Sequence, residues 1–176
     1  MPYLYDIKML KSKKILEKFL QRQRFKRVLP FLNKEVLDFG GNEGELKQFV
    51  KGHYTLVNYD YSALQTGKVY FDTIVSLAVI EHMPVDQVQA VFKLFKSLLM
   101  PNGVIVLTTP TPKSKWVLEC LATLGLLDKV NIAEHQHYWT KEELIALAKA
   151  SGFAVNKYYK FQLGYNQFMQ LEHLNS

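Results

Sequence analysis

The chain holds a single cysteine, Cys120, in 176 residues, so no disulfide can form within it. It lacks an apolar run long enough to span a bilayer. It also lacks an N-terminal basic segment joined to such a run, which points to a cytoplasmic protein. Proline is sparse, at six residues, and no repeat, low-complexity tract or linker breaks the chain. One domain is therefore expected, with 1–34 as a basic helical extension and 35–176 as the core. At 48% hydrophobic residues, that core needs no staple or metal. Acidic residues are scarce only at the start: residues 1–35 carry ten Lys or Arg against three Asp or Glu, leaving twelve basic and thirteen acidic residues beyond. The net charge of +6 is thus an N-terminal property. Such a patch attracts phosphates, anionic lipid or an acidic substrate, or is simply the solvated face of a helix.

What is present alternates. From Tyr5 to Val28, the apolar Ile7, Leu10, Ile15, Phe19, Leu20, Phe25 and Val28 recur at helical spacings between basic residues, and Pro30 ends the element. EVLDF at 35–39 reads as a buried strand that stops at Gly40 and Gly41. A helix near 43–51, strands near 54–59 and 71–77, a helix over 85–100 and a strand at 104–108 follow, with Pro101, Asn102 and Gly103 as the turn into that last strand. Strands apolar along their length, alternating with helices, predict a doubly wound, mostly parallel α/β sheet covered on both faces. Beyond an irregular stretch with a helix near 116–126, Thr140 and Glu143 have capping-box spacing and Gly152 closes the helix. Aromatic-rich runs either side of Gly164 predict a C-terminal antiparallel hairpin.

The segment VLDFGGNEGEL, 36–46, passes from strand through glycines into a helix at the carboxyl edge of the sheet, where open α/β sheets bind ligands. Gly40 and Gly41 let a ligand lie against the main chain, Gly44 lets the next element pack closely, and Asn42 tolerates a left-handed backbone. Neither register gives GxGxxG, and no GKS follows Gly44, so dinucleotide and P-loop readings fail. Glu43 and Glu45 would repel a pyrophosphate, and a cofactor without phosphates is expected. Asp60, about 20 residues after the glycines, can take both ribose hydroxyls of a nucleoside; an Asp there is also a common turn residue.

These residues resemble the class I S-adenosylmethionine-dependent methyltransferases, in particular the short group that includes ubiquinone-biosynthesis O-methyltransferases. DFGGNEG follows that family's DxGxGxG loop with Asn42 in place of the middle glycine, and FDTIVSLAVIEHMPVD at 71–86 follows its FDxVxxxxVxEHxPD. The match continues through LLMPNGVIVLTTPTP and HQHYWTKEELIALAKASGF. The resemblance implies a Rossmann-like methyltransferase fold, the N-terminal helix lying over the cofactor cleft, and S-adenosylmethionine as cofactor. It implies that Asp38, Gly40, Gly41, Asn42 and Gly44 surround the methionine moiety, that Asp60 holds the ribose, and that Leu77 and Ala78 line the cofactor, with Glu81 and His82 near the acceptor. The chain departs from the family between Asp60 and Asp72: eleven residues cannot hold the family's helix, third strand and adenine-contacting acid. About six strands are therefore expected, with the adenine side either open or completed by stacking of Tyr61.

Methyl transfer needs alignment of donor and nucleophile and, for a hydroxyl acceptor, removal of a proton. His82 is the first candidate base and Glu81 the second, although a histidine at a helix start also serves as a cap or packing group. His135, His137 and Tyr138 are candidates for the acceptor site, Tyr138 and Trp139 being equally suited to the core. The two-residue spacing of His135 and His137 places them on opposite faces of a strand, and no metal is expected. The acceptor implied is a small molecule, a lipid-linked intermediate or a sugar, one that is anionic or is met at a membrane surface by the basic helix. Nucleic-acid methylation is disfavoured because SLAV stands where adenine-modifying enzymes have an (N/D)PPY-type motif. The shortened adenine side leaves open a catalytically silent cofactor- or partner-binding module.

Overall fold

Three consecutive buried positions, Val36, Leu37 and Asp38, followed by Phe39, explain why β1 (Glu35–Phe39) lies inside the sheet: a strand without an exposed face must be covered on both sides. The computed structural model describes residues 3–58, 60, 61, 64, 70–126 and 134–174, except the side chains of 3–14 and 122. The strands are β1, β2 (His53–Val57), β3 (Phe71–Leu77), β4 (Leu99–Pro110), β5 (Phe153–Phe161) and β6 (Asn166–His173). They form one six-stranded sheet in the order β2-β1-β3-β4-β6-β5, parallel from β2 to β4 and antiparallel through the β5–β6 hairpin. This is the doubly wound, mostly parallel α/β sheet with a C-terminal antiparallel hairpin that the sequence predicts. The stretch in which the family's third strand would fall lies largely outside the described residues.

Helices α2 (Val85–Leu98) and α4 (Lys141–Ala150) cover one face: Val88, Val91, Phe92 and Phe95 of the first and Leu144, Leu147 and Ala148 of the second share a core with Leu37, Phe39, Ile74 and Leu107. Helix α1 (Tyr3–Val28) covers the other, where Val28 packs with Val36, Val75, Val106 and Phe168. Helix α3 (Ser114–Thr123) follows β4 and flanks the cleft described below. Because β1 is flanked by β2 on one side and β3 on the other, the chain leaves β1 in one direction and β3 in the opposite one. That reversal opens a crevice at their carboxyl ends, beside the glycine loop. Among the described residues, no helix is long and apolar enough to cross a membrane.

Three expectations are corrected. The helix expected at 43–51 is a five-residue 3-10 turn, Glu45–Phe49, preceded by Gly44 in a left-handed conformation with no side-chain cap. The glycines bend the chain too sharply, and β2 begins too soon, for an α-helix to propagate. Pro101, Asn102 and Gly103 lie within the long β4 at its register shift against β3 instead of forming a turn ahead of it. The apolar set of α1 does not share one face: Leu20, Phe25 and Val28 turn inward, whereas Ile15 and Phe19 are exposed.

The capping box is present as expected: Glu143 N donates to Thr140 Oγ1 at 3.2 Å, and Thr140 N to the Glu143 carboxylate at 2.7 Å. Thr140→Ala removes both the acceptor and its reciprocal geometry and should cost about 1 kcal/mol, read as a lower urea midpoint with an unchanged slope.

Candidate functional site

The loop after β1 is shaped by what fills the space around it. The Asp38 carboxylate stands where a Cβ on Gly41 would be, and the Val79 side chain stands against Gly40, whose φ is +79°. Gly44, φ +73°, would bring a Cβ to 3.3 Å of Leu56 and Tyr54. Asn42 adopts φ +51°, as its type allows. It is clamped from the bend just after β2: Asn42 N donates to Asn58 Oδ1, and Asn58 Nδ2 donates back to the Asn42 carbonyl, both at 2.9 Å. Tyr54 donates its hydroxyl to Asp38 Oδ2 at 2.6 Å. Burial raises the Asp38 pKa, which this hydrogen bond opposes, and raises that of Tyr54, which the same bond raises further.

The loop opens onto a cleft of about 1520 Å³. One ligand ordinarily fills roughly 300–1,000 Å³, so the cleft has room for two molecules. Gly40, Asn42, Asn58, Tyr61, Leu77 and Ala78 border it at the sheet's edge. A small recess leads from it, between Asp38, Gly40, Gly41 and Asn42 on one side and Gln21, Arg24 and Phe25 of α1 on the other. Asp60 is exposed, and the residues bordering the cleft include Asn58 and Tyr61 but not Asp60. Tyr61 leans on Phe39, with ring centroids 5.9 Å apart.

The far end is built on the turn after β3. Ala78, at φ +58°, bends the chain into the short turn Ile80–His82 while its N–H donates to the Thr108 carbonyl at 2.8 Å. Glu81 is buried and accepts from Thr109 Oγ1 at 3.0 Å. Its backbone carbonyl accepts from the N–H groups of Gln136 and His137, at 2.8 and 3.2 Å, which pins the later segment onto the turn. The His82 and His135 rings meet edge to face, 4.6 Å between centroids, and His135 Nδ1 lies 3.0 Å from the Tyr138 hydroxyl. His137 goes the other way, to Glu143 at 3.2 Å and the Trp139 ring, outside the cleft. Tyr138 meets the cleft only through His135. The expected acceptor residues are thus split by their alternate spacing.

Electrostatics separate these groups. Burial pushes the Glu81 carboxyl up to about 7, against the lowering influence of Thr109 and Arg24. Burial pulls His82 below its usual value and His135 down to about 4, helped at His135 by the charges of His82 and Arg24. Both imidazoles are neutral at neutral pH. Of the three, Glu81 has the pKa that lies nearest neutrality. Glu81, His82 and His135 bring ligand atoms within 4.8 Å of one another, a spacing compatible with a cation, with the positive Arg24 set against it.

Sequence reasoning missed Arg24 and Asn58. Arg24 Nε is buried without a hydrogen-bond partner, and desolvation lowers the guanidinium pKa while Glu81 supports its charge. In the sequence it is one basic residue of ten near the N-terminus. Only the packing of α1 singles it out.

Residues 12–158 match a family model described as a methyltransferase domain. Among solved structures, the chain is similar to the pyocyanin biosynthetic protein PhzM, at 17% identity and a TM-score of 0.60, covering 84% of this chain and 52% of that one. It is also similar to a SAM dependent methyltransferase from Archaeoglobus fulgidus, at 15% identity and a TM-score of 0.60, covering 97% and 99%. A third likeness is to magnesium protoporphyrin IX methyltransferase (ChlM) from Synechocystis PCC 6803 with bound SAH, at 16% identity and a TM-score of 0.56, covering 86% and 82%. The chain spans about half the length of PhzM and of the mitomycin 7-O-methyltransferase MmcR. No curated protein sequence matches it significantly. With the crevice at the strand reversal, the glycine loop at its floor and a family match over most of its length, the chain belongs to the methyltransferase domain family.

Proposed function

We propose that the chain transfers a methyl group from S-adenosylmethionine to a small-molecule, lipid-linked or sugar acceptor. What supports this reading is the recess at the glycine loop, bordered by the Asp38 carboxylate and by Arg24, whose buried Nε has no hydrogen-bond partner. A zwitterionic amino-acid end has one charge for each: its carboxylate meets Arg24 and its ammonium group meets Asp38. Gly40, Gly41 and Gly44 keep the floor free of side chains, and Asn42 is held in place by Asn58. Leu77 and Ala78 would hold the nucleoside, with Asp60 and Asn58 for the ribose and Tyr61 for the adenine.

Bound S-adenosylmethionine supplies an electrophilic methyl on a sulfonium. Glu81 takes the proton that the acceptor loses, and the neutral His82 and His135 orient the acceptor without adding positive charge beside the sulfonium. Val117, Leu118, Leu121 and Leu163 give the cleft an apolar wall, which suits an acceptor with hydrophobic bulk. The ten basic residues near the N-terminus favour an anionic acceptor or an anionic surface.

Calorimetry with S-adenosylhomocysteine tests the cofactor site, and absence of heat at submillimolar ligand would make the fold a silent module. Asp60→Ala and Arg24→Met should each weaken binding by about 1–3 kcal/mol, through loss of charge-assisted bonds, and Gly40→Val should abolish it by filling the loop. Unchanged affinity in Asp60→Ala would leave the ribose to Asn58.

Glu81 can be checked without knowing the acceptor. Its native pKa of about 7 lies above its ordinary value of 4.5, so between these limits the folded chain binds more protons than the unfolded one. Stability should therefore fall as pH rises from 4.5 to 7, by about 3 kcal/mol, and Glu81→Gln should flatten that decline in urea titrations. With any acceptor that is turned over, Glu81→Gln should lower kcat by about 10²–10⁴. A divalent cation that raises the melting temperature of the wild type but not of Glu81→Gln would instead make Glu81, His82 and His135 ligands.

A further inference from the structure

Two apolar side chains project into solvent at the mouth of the cleft, and the fold itself makes no use of them. Phe19 of α1 is 54% exposed, and Leu163, in the turn between β5 and β6, is 90% exposed. Both border the cleft. They are brought to the same rim by Gln162, which donates from Nε2 to the Leu20 carbonyl at 3.2 Å and so ties the turn to the helix. Leu163 also sits at φ +57°, after Gln162 at +51°, in the left-handed region that bulky side chains rarely adopt. Glycine or asparagine would stand there with less strain and less exposed apolar surface. A strained backbone that presents a hydrophobic side chain to water points to a partner for it.

The surroundings of these two residues are cationic. On α1, positions 15, 19, 22 and 26 recur at i, i+4, i+7 and i+11, so Ile15, Phe19, Arg22 and Lys26 share one face, with Lys18 beside them. All five are exposed. On the other side of the rim, Lys113 Nζ lies over the Tyr165 ring at 5.5 Å, two residues from Leu163. Glu17, Glu45 and Glu134 also border the cleft, and Glu45 is engaged by Gln21. Among the described residues of the rim, the exposed Lys18, Arg22, Lys26 and Lys113 outnumber them. A few inserting apolar anchors ringed by Lys and Arg match an anionic lipid interface better than a protein surface, which would require a larger apolar core.

We propose that the mouth of the cleft docks onto an anionic bilayer, with Phe19 and Leu163 inserting at the acyl boundary and Lys18, Arg22, Lys26 and Lys113 meeting the headgroups. The acceptor is then an amphiphile that enters the cleft from the membrane, along the wall of Val117, Leu118 and Leu121. This last step rests on the reading of the cleft as the methyl acceptor's site; the docking surface does not.

Co-sedimentation of the full chain with vesicles tests it. The wild type should bind vesicles of mixed phosphatidylglycerol and phosphatidylcholine, bind pure phosphatidylcholine far less, and be released in about 1 M salt, where screening confines charge interactions to roughly 3 Å. Leu163→Asn, which keeps the left-handed backbone, and Phe19→Ser should each weaken partitioning by about tenfold. Lys18→Glu with Lys113→Glu should abolish the preference for anionic lipid. Circular dichroism and urea unfolding of the same variants report whether they fold, independently of ligand binding. Absence of vesicle binding, equal binding to neutral vesicles, or partitioning indifferent to Leu163 and Phe19 would overturn the proposal, as would concentration-dependent self-association through these residues in place of vesicle binding. Vesicle binding without S-adenosylhomocysteine binding would keep the docking surface and remove the methyltransferase reading. The converse result would remove the docking surface alone.

Discussion

The site depends on the buried Asp38 carboxylate. It fills the volume that any side chain at position 41 would need, and the Tyr54 hydroxyl, donated from β2 at 2.6 Å, fixes its direction. Strand pairing, loop shape and charge are therefore set by one group. The parallel register that puts Asp38 opposite Leu56 brings Tyr54 within reach, and the bend just after that neighbouring strand supplies Asn58 to clamp Asn42. A buried carboxyl with a single neutral donor is only partly compensated, as its raised pKa reflects. An ammonium group arriving in the recess would complete it, so the cost of burying Asp38 in the free protein returns as affinity for a cationic ligand.

At the other end of the cleft, Glu81 ties function to architecture through its backbone as much as its side chain. Its carbonyl takes two N–H groups from the segment before α4, and its carboxylate takes the Thr109 hydroxyl from the end of β4. The turn after β3, the end of β4 and the histidine segment are thereby joined at one residue. The edge-to-face contact of His82 with His135 follows from this junction. Substitutions at Glu81 consequently act on geometry as well as on proton transfer, and a change in pH dependence separates the second effect from the first.

Much of this was legible in the sequence because it rests on local patterns. Apolar runs bounded by glycine located β1 and β3, the Thr140–Glu143 spacing gave the α4 cap, and aromatic alternation around Gly164 gave the hairpin. The glycine loop was readable because its conformations exclude other residue types. What escaped depends on tertiary packing. Periodicity on α1 shows the apolar residues but not which of them the sheet covers, so Ile15 and Phe19 cannot be told from Leu20 and Phe25 in the sequence, nor Arg24 from the other basic residues. Asn58 has meaning only once β2 lies beside β1. The alternation of His135 and His137 was visible, but the choice of which one enters the cleft is made by the hydrogen bonds to the Glu81 carbonyl.

Under the methyl-transfer reading, the lining of the cleft and the charge change of the reaction fit together. A sulfonium concentrates positive charge that is dispersed as the methyl moves, so an apolar lining raises the energy of the starting state more than that of the transition state. Phe39, Leu77, Ala78 and Val79 provide that lining near the loop. Protonated histidines at the acceptor end would oppose cofactor binding without helping transfer, and burial keeps both neutral. The fixed positive charge comes from Arg24, which borders the recess and also acts on Glu81 and His135, and an amino-acid carboxylate in the recess can answer it. Because Arg24 rides on α1 and not on the sheet, the amino-acid end of the site is complete only while that helix is docked. The helix whose exposed face meets the surroundings of the protein is therefore also the one that completes the recess.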